Sequence, residues 1–428
     1  MNRHLIPFIL LFSGSAMFGA DVIAPVSGAT DQAGHKDGTG GVARFNDPTG
    51  LARDAQGNLY VCDARNHVIR RIAPGGVVTT LAGKPGESGA VNGLGSAARF
   101  NFPVDIAVGP GGVLFVADSG NHCIRAIAAN GNVTTLAGDL GNADDVNLSY
   151  GAITSVPAQL DGQGAGARFN NPCGIAYAPA GHLYVSDTGN HLIRSVSLNG
   201  VVATVAGKAG SWGAADGTGA AARVSSPMGM CLGADGNLYI ADSANHVIRC
   251  MTPSGQISTF AGNPLESGFK PGPRLQARFL EPSDVVPHPE GGLIICESFG
   301  NALFRLTSGG DVSLFAGDPT TGPNSLSNPN SAVCDPEGNV FVVDTYRQEV
   351  RLIIESFSTS IGRSGGTNLL TITWDSIPGR TYQLQMLGDA GWANAPPAPV
   401  LASTAETSVT FPMPLQNAGI YRILLLGF

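Results

Sequence analysis

Carboxylate, guanidinium and imidazole side chains, the groups that could act in acid–base or metal chemistry, recur together along this sequence. Six short apolar runs end in an acidic residue, at Asp63, Asp118, Asp187, Asp242, Glu297 and Asp344. An arginine follows each of them seven or eight residues later, at Arg70, Arg125, Arg194, Arg249, Arg305 and Arg351. Four of the copies carry a histidine between the acid and the arginine, at His67, His122, His191 and His246.

This regularity favours a structural role for these side chains over a catalytic one. A metal site needs several ligands that converge on one point, whereas equivalent residues of successive repeats are held apart. We therefore predict that each acidic residue accepts backbone N–H groups across its own turn. Its expected partners are the following arginine and the arginine that precedes a recurring phenylalanine, and these pairs would lock repeat to repeat. The histidines are expected to pack and hydrogen bond near the same turn.

Two aspartates stand outside the regular pattern. The second residue after a recurring proline reads, in the six copies, Gly50, Asp105, Gly174, Gly229, Asp284 and Ser331. Copies two and five, which carry the aspartates, would face each other if the six copies form a ring. Asp105 and Asp284 could then bind Ca²⁺ or another divalent metal in a central channel, or polarise a substrate. The alternative, which we favour, is that each carboxylate caps its own turn.

Other departures from the repeat mark further candidate residues. An insertion after Asp139 contains Asp144, Asp145 and Tyr150. The sequence has no Gly-x-Ser-x-Gly, His-Glu-x-x-His or phosphate-loop motif, so no catalytic residue is assigned. The candidate binding residues are Asp105, Asp284, Ser331, Trp212, Tyr346 and Arg347.

The composition excludes some classes of partner. The chain has 428 residues and a net charge of −8, and its few lysines and regularly placed arginines leave no free basic patch. Binding to nucleic acid or to an anionic lipid surface is therefore not expected. Its 59 glycines and its charged fraction of 13% are typical of an all-β chain with many tight turns.

Each copy divides into four short strands. In the first copy, strand A is expected at 50–53, strand B at 59–62, strand C at 68–72 and strand D at 77–81. Four antiparallel strands per repeat predict one blade of a β-propeller. Because the strands alternate in direction, the long D–A connections lie on the same face as the B–C turns. We call this the D–A loop face and expect a ligand there, since long loops on a rigid scaffold usually carry binding.

The ends of the repeat region predict a closed ring. The sixth copy stops after strand C, and residues 22–28 align with strand D of the first copy and the residues after it, 77–83. We therefore expect the N-terminal segment to supply strand D of the sixth blade, which removes an open sheet edge. The prediction is an all-β fold with a six-bladed β-propeller over residues 21–355.

The turn after strand B carries a family resemblance. The pairs Asn66-His67, Asn121-His122, Asn190-His191 and Asn245-His246 resemble the NHL repeat, here of an exported bacterial type. Copies five and six depart from it, with Gly300-Asn301-Ala302 and Tyr346-Arg347-Gln348. The resemblance implies a six-bladed propeller. The propeller is also similar to six-bladed enzymes, lactone hydrolases and an amidating lyase, that hold a metal in the channel. Some NHL propellers bind RNA through a basic face.

The two ends of the chain are expected to lie outside the propeller. Residues 1–20 combine a basic start, an apolar stretch and small residues, which predicts a cleaved secretion signal; a buried first strand is the alternative. Residues 356–428 alternate apolar and polar side chains, as at Leu370, Ile372 and Trp374, and resemble a shortened fibronectin-III-like β-sandwich. The seven cysteines form no Cys-x-x-Cys motif, and their spacing specifies no disulfide.

Two functions remain from these observations. The first is a secreted or periplasmic binding or scaffold module that takes a protein, glycan or small ligand on the D–A loop face. The second is a metal-dependent lactonase, hydrolase or lyase with its site at the mouth of the channel. Neither predicts nucleic acid or a transmembrane anchor.

Overall fold

The computed structural model describes residues 5–7, 22–138, 159–264, 266–317 and 326–354, and the backbone of seven strands between 359 and 426. It divides into two compact units, one of residues 25–352 and one of residues 1–24 and 353–428. No helix in these described ranges has the length and apolar character needed to cross a bilayer.

The described residues between 22 and 354 form six antiparallel sheets, each of which is one blade. Strand A occupies, in blades 1 to 6, Pro48–Arg53, Pro103–Val108, Pro172–Ala178, Pro227–Leu232, Pro282–Pro287 and Pro329–Cys334. Strand B occupies Leu59–Asp63, Leu114–Asp118, His182–Asp187, Leu238–Asp242, Leu293–Glu297 and Val340–Asp344. Strand C occupies Val68–Ala73, Cys123–Ile127, Leu192–Ser197, Val247–Met251, Ala302–Leu306 and Glu349–Ile354. Strand D occupies Val77–Ala82, Asn132–Ala137, Val201–Gly207, Gln256–Ala261, Asp311–Gly317 and, for blade 6, Val22–Gly28.

The blades close into a ring, as predicted. Each strand A contacts strand A of the next blade, and that of blade 6 contacts that of blade 1. Strand Val22–Gly28 pairs with strand C of blade 6, so the N-terminal segment completes the last sheet. Beyond this strand, the Thr30 hydroxyl donates to Glu349 Oε1 at 2.6 Å and the Asp31 N–H donates to the Arg347 carbonyl at 3.2 Å.

Five of the blades have a fifth strand that the sequence pattern does not predict. Two residues of the incoming D–A connection pair with strand D on its outer side, as Gly38–Thr39 pairs with Val77 and Val78. The equivalent edge strands are Gly93–Leu94, Gly162–Gln163, Gly217–Thr218 and Gly272–Pro273. These glycine-rich segments have no apolar alternation, so only their position beside strand D makes them strands.

The core lies between successive blades, because the apolar side chains of one sheet pack against the next. One buried cluster joins Cys62 and Ile69 of blade 1 to Phe100 and Val116 of blade 2. A second cluster joins Val343 and Val350 of blade 6 to Phe45 and Val61 of blade 1, across the closure. All seven cysteines lie in the described residues, and none of them is in a disulfide.

The C-terminal unit contains two sheets. One joins Thr359–Arg363, Leu369–Asp375 and Glu406–Pro412, and the other joins Thr381–Gly388, Gly391–Asn394, Val400–Leu401, Tyr421–Leu426 and Leu5–Pro7. The predicted alternation at Leu370, Ile372 and Trp374 therefore falls in a strand. The fibronectin-III-like sandwich and the secretion signal stay predictions.

Candidate functional site

The acid at the end of strand B is a framework group in every blade. One carboxylate oxygen accepts the backbone N–H of a D–A loop residue seventeen positions earlier, for example Asn46 to Asp63 at 2.7 Å. The equivalent donors are Asn101, Asn170, Ser225, Leu280 and Ser327. The prediction that the acid accepts backbone N–H groups of its own B–C turn was therefore wrong, because the N–H donor lies in the D–A connection. The bond instead ties the D–A connection to its own blade.

The second carboxylate oxygen binds the arginine of strand C in five blades. The Arg–Asp pairs are Arg70–Asp63, Arg125–Asp118, Arg194–Asp187, Arg249–Asp242 and Arg351–Asp344, at 2.7, 2.8, 2.7, 3.0 and 2.9 Å. Burial raises the pKa of Asp63 to about 6 against the lowering influence of Arg70 and Asn66. Because each pair lies within one blade, it does not lock blade to blade as expected.

The arginine also organises the loop around it. Arg70 lies over the Phe45 ring at 5.1 Å and donates to Asp37 at 2.8 Å. The arginine before that phenylalanine was the other expected partner of the acid, and this prediction was wrong. Arg44 instead donates to the carbonyls of Gly41 and Ala43, both at 2.7 Å.

The histidines hold neighbouring blades together, which confirms their predicted structural role. Each adopts a left-handed backbone conformation, and its Nδ1 accepts the N–H of the residue before strand A in the next blade. The pairs are His67 with Phe102, His122 with Asn171, His191 with Ser226 and His246 with Glu281, at 3.1, 3.0, 3.0 and 3.2 Å. Asn301 Oδ1 and Gln348 Oε1 accept the same bond at 2.8 Å, from Asn328 and Asp47 respectively. One such bond therefore crosses each of the six junctions.

Blade 5 has lost the ion pair. Phe304 occupies the position of the strand C arginine and packs edge-on against Phe279, with ring centroids 5.5 Å apart. Gly300 stands where an asparagine donates to the acid in blades 1 to 4, and Pro271 stands at the loop position equivalent to Asp37. Glu297 Oε2 is therefore buried without a hydrogen-bond partner, and burial raises the pKa of Glu297 to about 8.

The fifth arginine lies at the other end of its blade, so the predicted pairing of Arg305 with Glu297 was wrong. Arg305 is buried and donates to His288 Nδ1 at 2.9 Å, to the Gly291 carbonyl at 2.7 Å and to the Leu306 carbonyl at 3.0 Å. His288, which lies in the turn between strands A and B of this blade, is also buried.

Asp105 and Asp284 lie near the D–A end of the innermost strands and join adjacent blades. Asp105 accepts the N–H groups of Ile106 and, in blade 3, Ile175, both at 2.8 Å. Asp284 accepts those of Val285 at 2.8 Å and, in blade 6, Ala332 at 3.2 Å. The favoured capping interpretation therefore holds only in part, since one oxygen of each carboxylate bonds its own segment and the other bonds the next blade.

The six strand A positions equivalent to Asp105 form an inner ring around the channel. The other four, Gly50, Gly174, Gly229 and Ser331, are small because the strands approach closely. A Cβ on Gly229 would lie 2.1 Å from Asp284 Oδ1, and one on Gly50 would lie 2.5 Å from the Asp105 Cα. Ser331 bonds Asp284 and also accepts the Leu51 N–H at 3.3 Å, which links blade 6 to blade 1. The inner ring thus serves the packing of the blades.

Burial raises the pKa values of both aspartates. Burial and the Asp284 charge raise the pKa of Asp105 well above its ordinary value, and burial raises the pKa of Asp284 to about 7. A buried carboxyl group whose ionisation is disfavoured can keep a proton or accept a cation. Within the described ranges, however, no group of three or more His, Cys, Asp or Glu side chains could hold a metal. In this part of the chain, Asp105 and Asp284 therefore lack a third such side chain with which to form a metal site.

The other candidate binding residues are spread over the D–A loop face. Trp212 lies in the connection into blade 4, is 68% exposed and packs against His191 with ring centroids 5.8 Å apart. Tyr346 lies in the B–C turn of blade 6 and is 60% exposed. Arg347 Nε lies 3.7 Å from Asp344 Oδ2, and its side chain is mostly covered. Trp212 and Tyr346 therefore lie on well-separated blades, and the insertion containing Asp144, Asp145 and Tyr150 lies outside the described residues.

Sequence reasoning missed two exposed residues on this face. Phe299 is 65% exposed, and the side chain of Arg65 is 62% exposed. Both occupy the same position of the B–C turn as Tyr346. An alignment of that one turn position across the six copies would have found them.

This arrangement of six four- to five-stranded blades around closely packed inner strands defines the chain as a six-bladed β-propeller. A crystal structure of a protein of unknown function from Bacteroides thetaiotaomicron has the same fold. It superposes with a TM-score of 0.58 and 19% identity over 78% of this chain and 76% of that one. Residues 45–72, 100–127 and 169–194 match the NHL repeat, which supports an NHL-type propeller.

Two curated relatives are similar to about two thirds of this chain. The chloroplastic protein SUPPRESSOR OF QUENCHING 1 of Arabidopsis thaliana is 29% identical over 65% of this chain, and NHL repeat-containing protein 2 of Bos taurus is 28% identical over 64%. The matched region is only 26% and 40% of the length of these two relatives. The similarity therefore concerns one part of larger proteins.

Proposed function

We propose that this chain is an exported NHL-type propeller that works as a binding or scaffold module. It takes a protein, glycan or small ligand on the D–A loop face. The observation that carries the proposal is the exposure of Trp212 and Tyr346 on this face, at 68% and 60%. Large exposed aromatic side chains on a rigid scaffold are common at binding sites. The recurrent charged groups form hydrogen bonds and ion pairs within the blades. The surface residues that do not recur are therefore the ones available to a ligand.

Binding of defined probes tests this proposal. The full-length chain is screened against arrayed glycans, a library of random peptides and a small-molecule library, and then compared with Trp212→Ala and Tyr346→Ala. We expect at least tenfold weaker binding of selected probes, with an unchanged melting temperature. Leu198→Ala is the control, because Leu198 is 40% exposed on a C–D turn at the opposite face. If every selected probe binds both variants like the wild type, the assigned face is wrong.

The second candidate is a metal-dependent hydrolase or lyase, favoured by the carboxyl groups of Asp105 and Asp284, whose pKa values are raised by burial. Buried carboxylates with raised pKa values are frequent in catalytic sites. This function predicts stoichiometric Ca²⁺ or transition metal in the purified protein, measured by elemental analysis, and loss of the metal in Asp105→Asn/Asp284→Asn. Metal-free protein in which the double substitution lowers only stability would leave the carboxylates with their structural role.

Export and the nature of the C-terminal unit are part of the proposal. A secretion signal at 1–20 places the chain in the periplasm or outside the cell, with residues 356–428 as a fibronectin-III-like module. Intact mass and N-terminal sequencing of the protein from its native compartment should show a start between residues 17 and 21. A mature chain that starts at Met1 would instead retain strand Leu5–Pro7, which pairs with Tyr421–Leu426.

A further inference from the structure

The second residue of the B–C turn, two positions after the strand B acid, has an equivalent place in all six blades but differs among them. In blades 1 to 6 it is Arg65, Gly120, Gly189, Ala244, Phe299 and Tyr346. The hairpin register fixes the equivalence, since Asp63 pairs with Val68 and Glu297 pairs with Ala302. Three adjacent blades, 5, 6 and 1, therefore carry large side chains at this position, whereas the other three carry Gly or Ala.

The fold does not require these large side chains. Ala244 occupies the position in blade 4, within the same kind of 3₁₀ turn, Ser243–Asn245. In blades 2 and 3 a loop asparagine covers the site, because a Cβ on Gly120 or Gly189 would lie 2.6 Å from an atom of Asn101 or Asn170. At this turn position, blades 2, 3 and 4 have no counterpart of the exposed aromatic side chains of blades 5 and 6. The structure of the repeat does not explain these aromatic residues.

The surroundings of these side chains have mixed charge. Arg65 forms an ion pair with Asp47 of the adjoining loop, and Arg347 lies beside Asp344. Leu280, in the loop next to the turn that carries Phe299, is 36% exposed. No single sign of charge dominates, which argues against a purely electrostatic ligand. Aromatic residues and arginine are the types that anchor protein–protein interfaces.

We infer that blades 5, 6 and 1 form a docking surface for a polypeptide partner, which we call the 5-6-1 arc. Phe299 and Tyr346 are its aromatic anchors, and Arg65, held by Asp47, supplies hydrogen-bond donors to partner carbonyls or carboxylates. Successive blades of a six-bladed ring are about 60° apart, so the anchors span about a third of the ring. A protein interface of about 800 Å² per partner is large enough to cover side chains on three adjacent blades.

This inference rests on the proposed binding role of the D–A loop face and specifies the class of partner. Its test uses random linear peptides displayed on phage, selected on the full-length chain and counter-selected on Arg65→Ala/Phe299→Ala/Tyr346→Ala. Alanine is a native solution at this position, as Ala244 shows, so the variant should fold. Enriched peptides should bind Phe299→Ala and Tyr346→Ala at least tenfold more weakly than the wild type, at unchanged melting temperature.

Leu94→Ala serves as the control, since Leu94 is 60% exposed on the edge strand of blade 2, and peptide affinity should not change. Absence of any peptide enriched over the triple variant overturns the 5-6-1 arc. Peptides that bind the triple variant normally but fail on Trp212→Ala also overturn it, yet they leave the D–A loop face intact. Glycans that depend on the three residues, without any peptide that does, overturn the polypeptide class of partner.

Discussion

The carboxyl group at the end of strand B has different neighbours in blade 5 from those in the other blades, and it therefore has a different pKa. Asp63 is buried but accepts hydrogen bonds from Arg70 and Asn66, so its charge is compensated. Glu297 keeps only the Leu280 N–H, because Phe304 and Gly300 supply no donor. A buried carboxylate without a cation is costly, and protonation is the cheaper state.

The raised pKa of Glu297 makes a prediction about pH. In the folded protein its pKa is about 8, above its ordinary value of 4.5. The contribution of the Glu297 carboxyl group to the stability of the folded state is therefore fully present below pH 4.5. That contribution is lost as pH rises through 8. Glu297→Gln should therefore gain stability relative to the wild type between pH 5 and 9, by up to roughly 4–5 kcal/mol. Denaturant unfolding of both proteins at pH 5, 7 and 9 measures this, and a difference that does not vary with pH would contradict it.

At the scale of elements, each of the six junctions between blades includes one hydrogen bond to a side-chain acceptor atom of the B–C turn. The histidine Nδ1 is that atom at four junctions, and Asn301 and Gln348 provide a side-chain amide oxygen at the other two. The NHL-like pair was visible in the sequence, but its partner, the residue before strand A in the following blade, was not. A local motif indicates the turn, whereas the partner across the junction depends on how the sheets pack.

This arrangement predicts acid sensitivity of the histidine junctions. Burial lowers the pKa of His67 and His191, so their contribution is present above pH 6.5 and is lost as pH falls through the folded pKa. His67→Asn/His191→Asn copies the solution of blade 5 and does not titrate. The variant should lose less stability than the wild type between pH 7.5 and 5, measured by thermal unfolding. A parallel loss in both proteins would show that these imidazoles do not control the junctions.

At the scale of the whole molecule, closure by Val22–Gly28 makes the ring depend on its first strand. Removal of that strand leaves strand C of blade 6 as an open sheet edge. It also removes Ala24 and Ser27, whose side chains are buried, and so exposes the residues that pack against them. Closure also places blade 6 beside blade 1, and thereby brings Tyr346 and Arg65 onto adjacent blades although they are far apart in sequence.

Deletion of residues 21–30 should therefore destabilise the entire propeller. We expect the melting temperature to fall by roughly 10 °C or more, since several kcal/mol of packing and hydrogen bonding are lost. A chain that starts at Asp21 and keeps the strand is the matched control. Differential scanning calorimetry measures both, and equal melting temperatures would show that the strand does not close the ring.

The sequence by itself determined the number of blades, the strand order within each blade, the closure and, in five of the six blades, the pairing of the strand B acid with the strand C arginine. These follow from repeats and local periodicity, which one chain displays six times. Only the tertiary structure decided which N–H groups the carboxylates accept, where Arg305 points, and that Asp105 and Asp284 each join two blades. It also decided that Phe299, Tyr346 and Arg65 lie on adjacent blades. Such contacts join residues distant in sequence, and they depend on how sheets pack rather than on any local pattern.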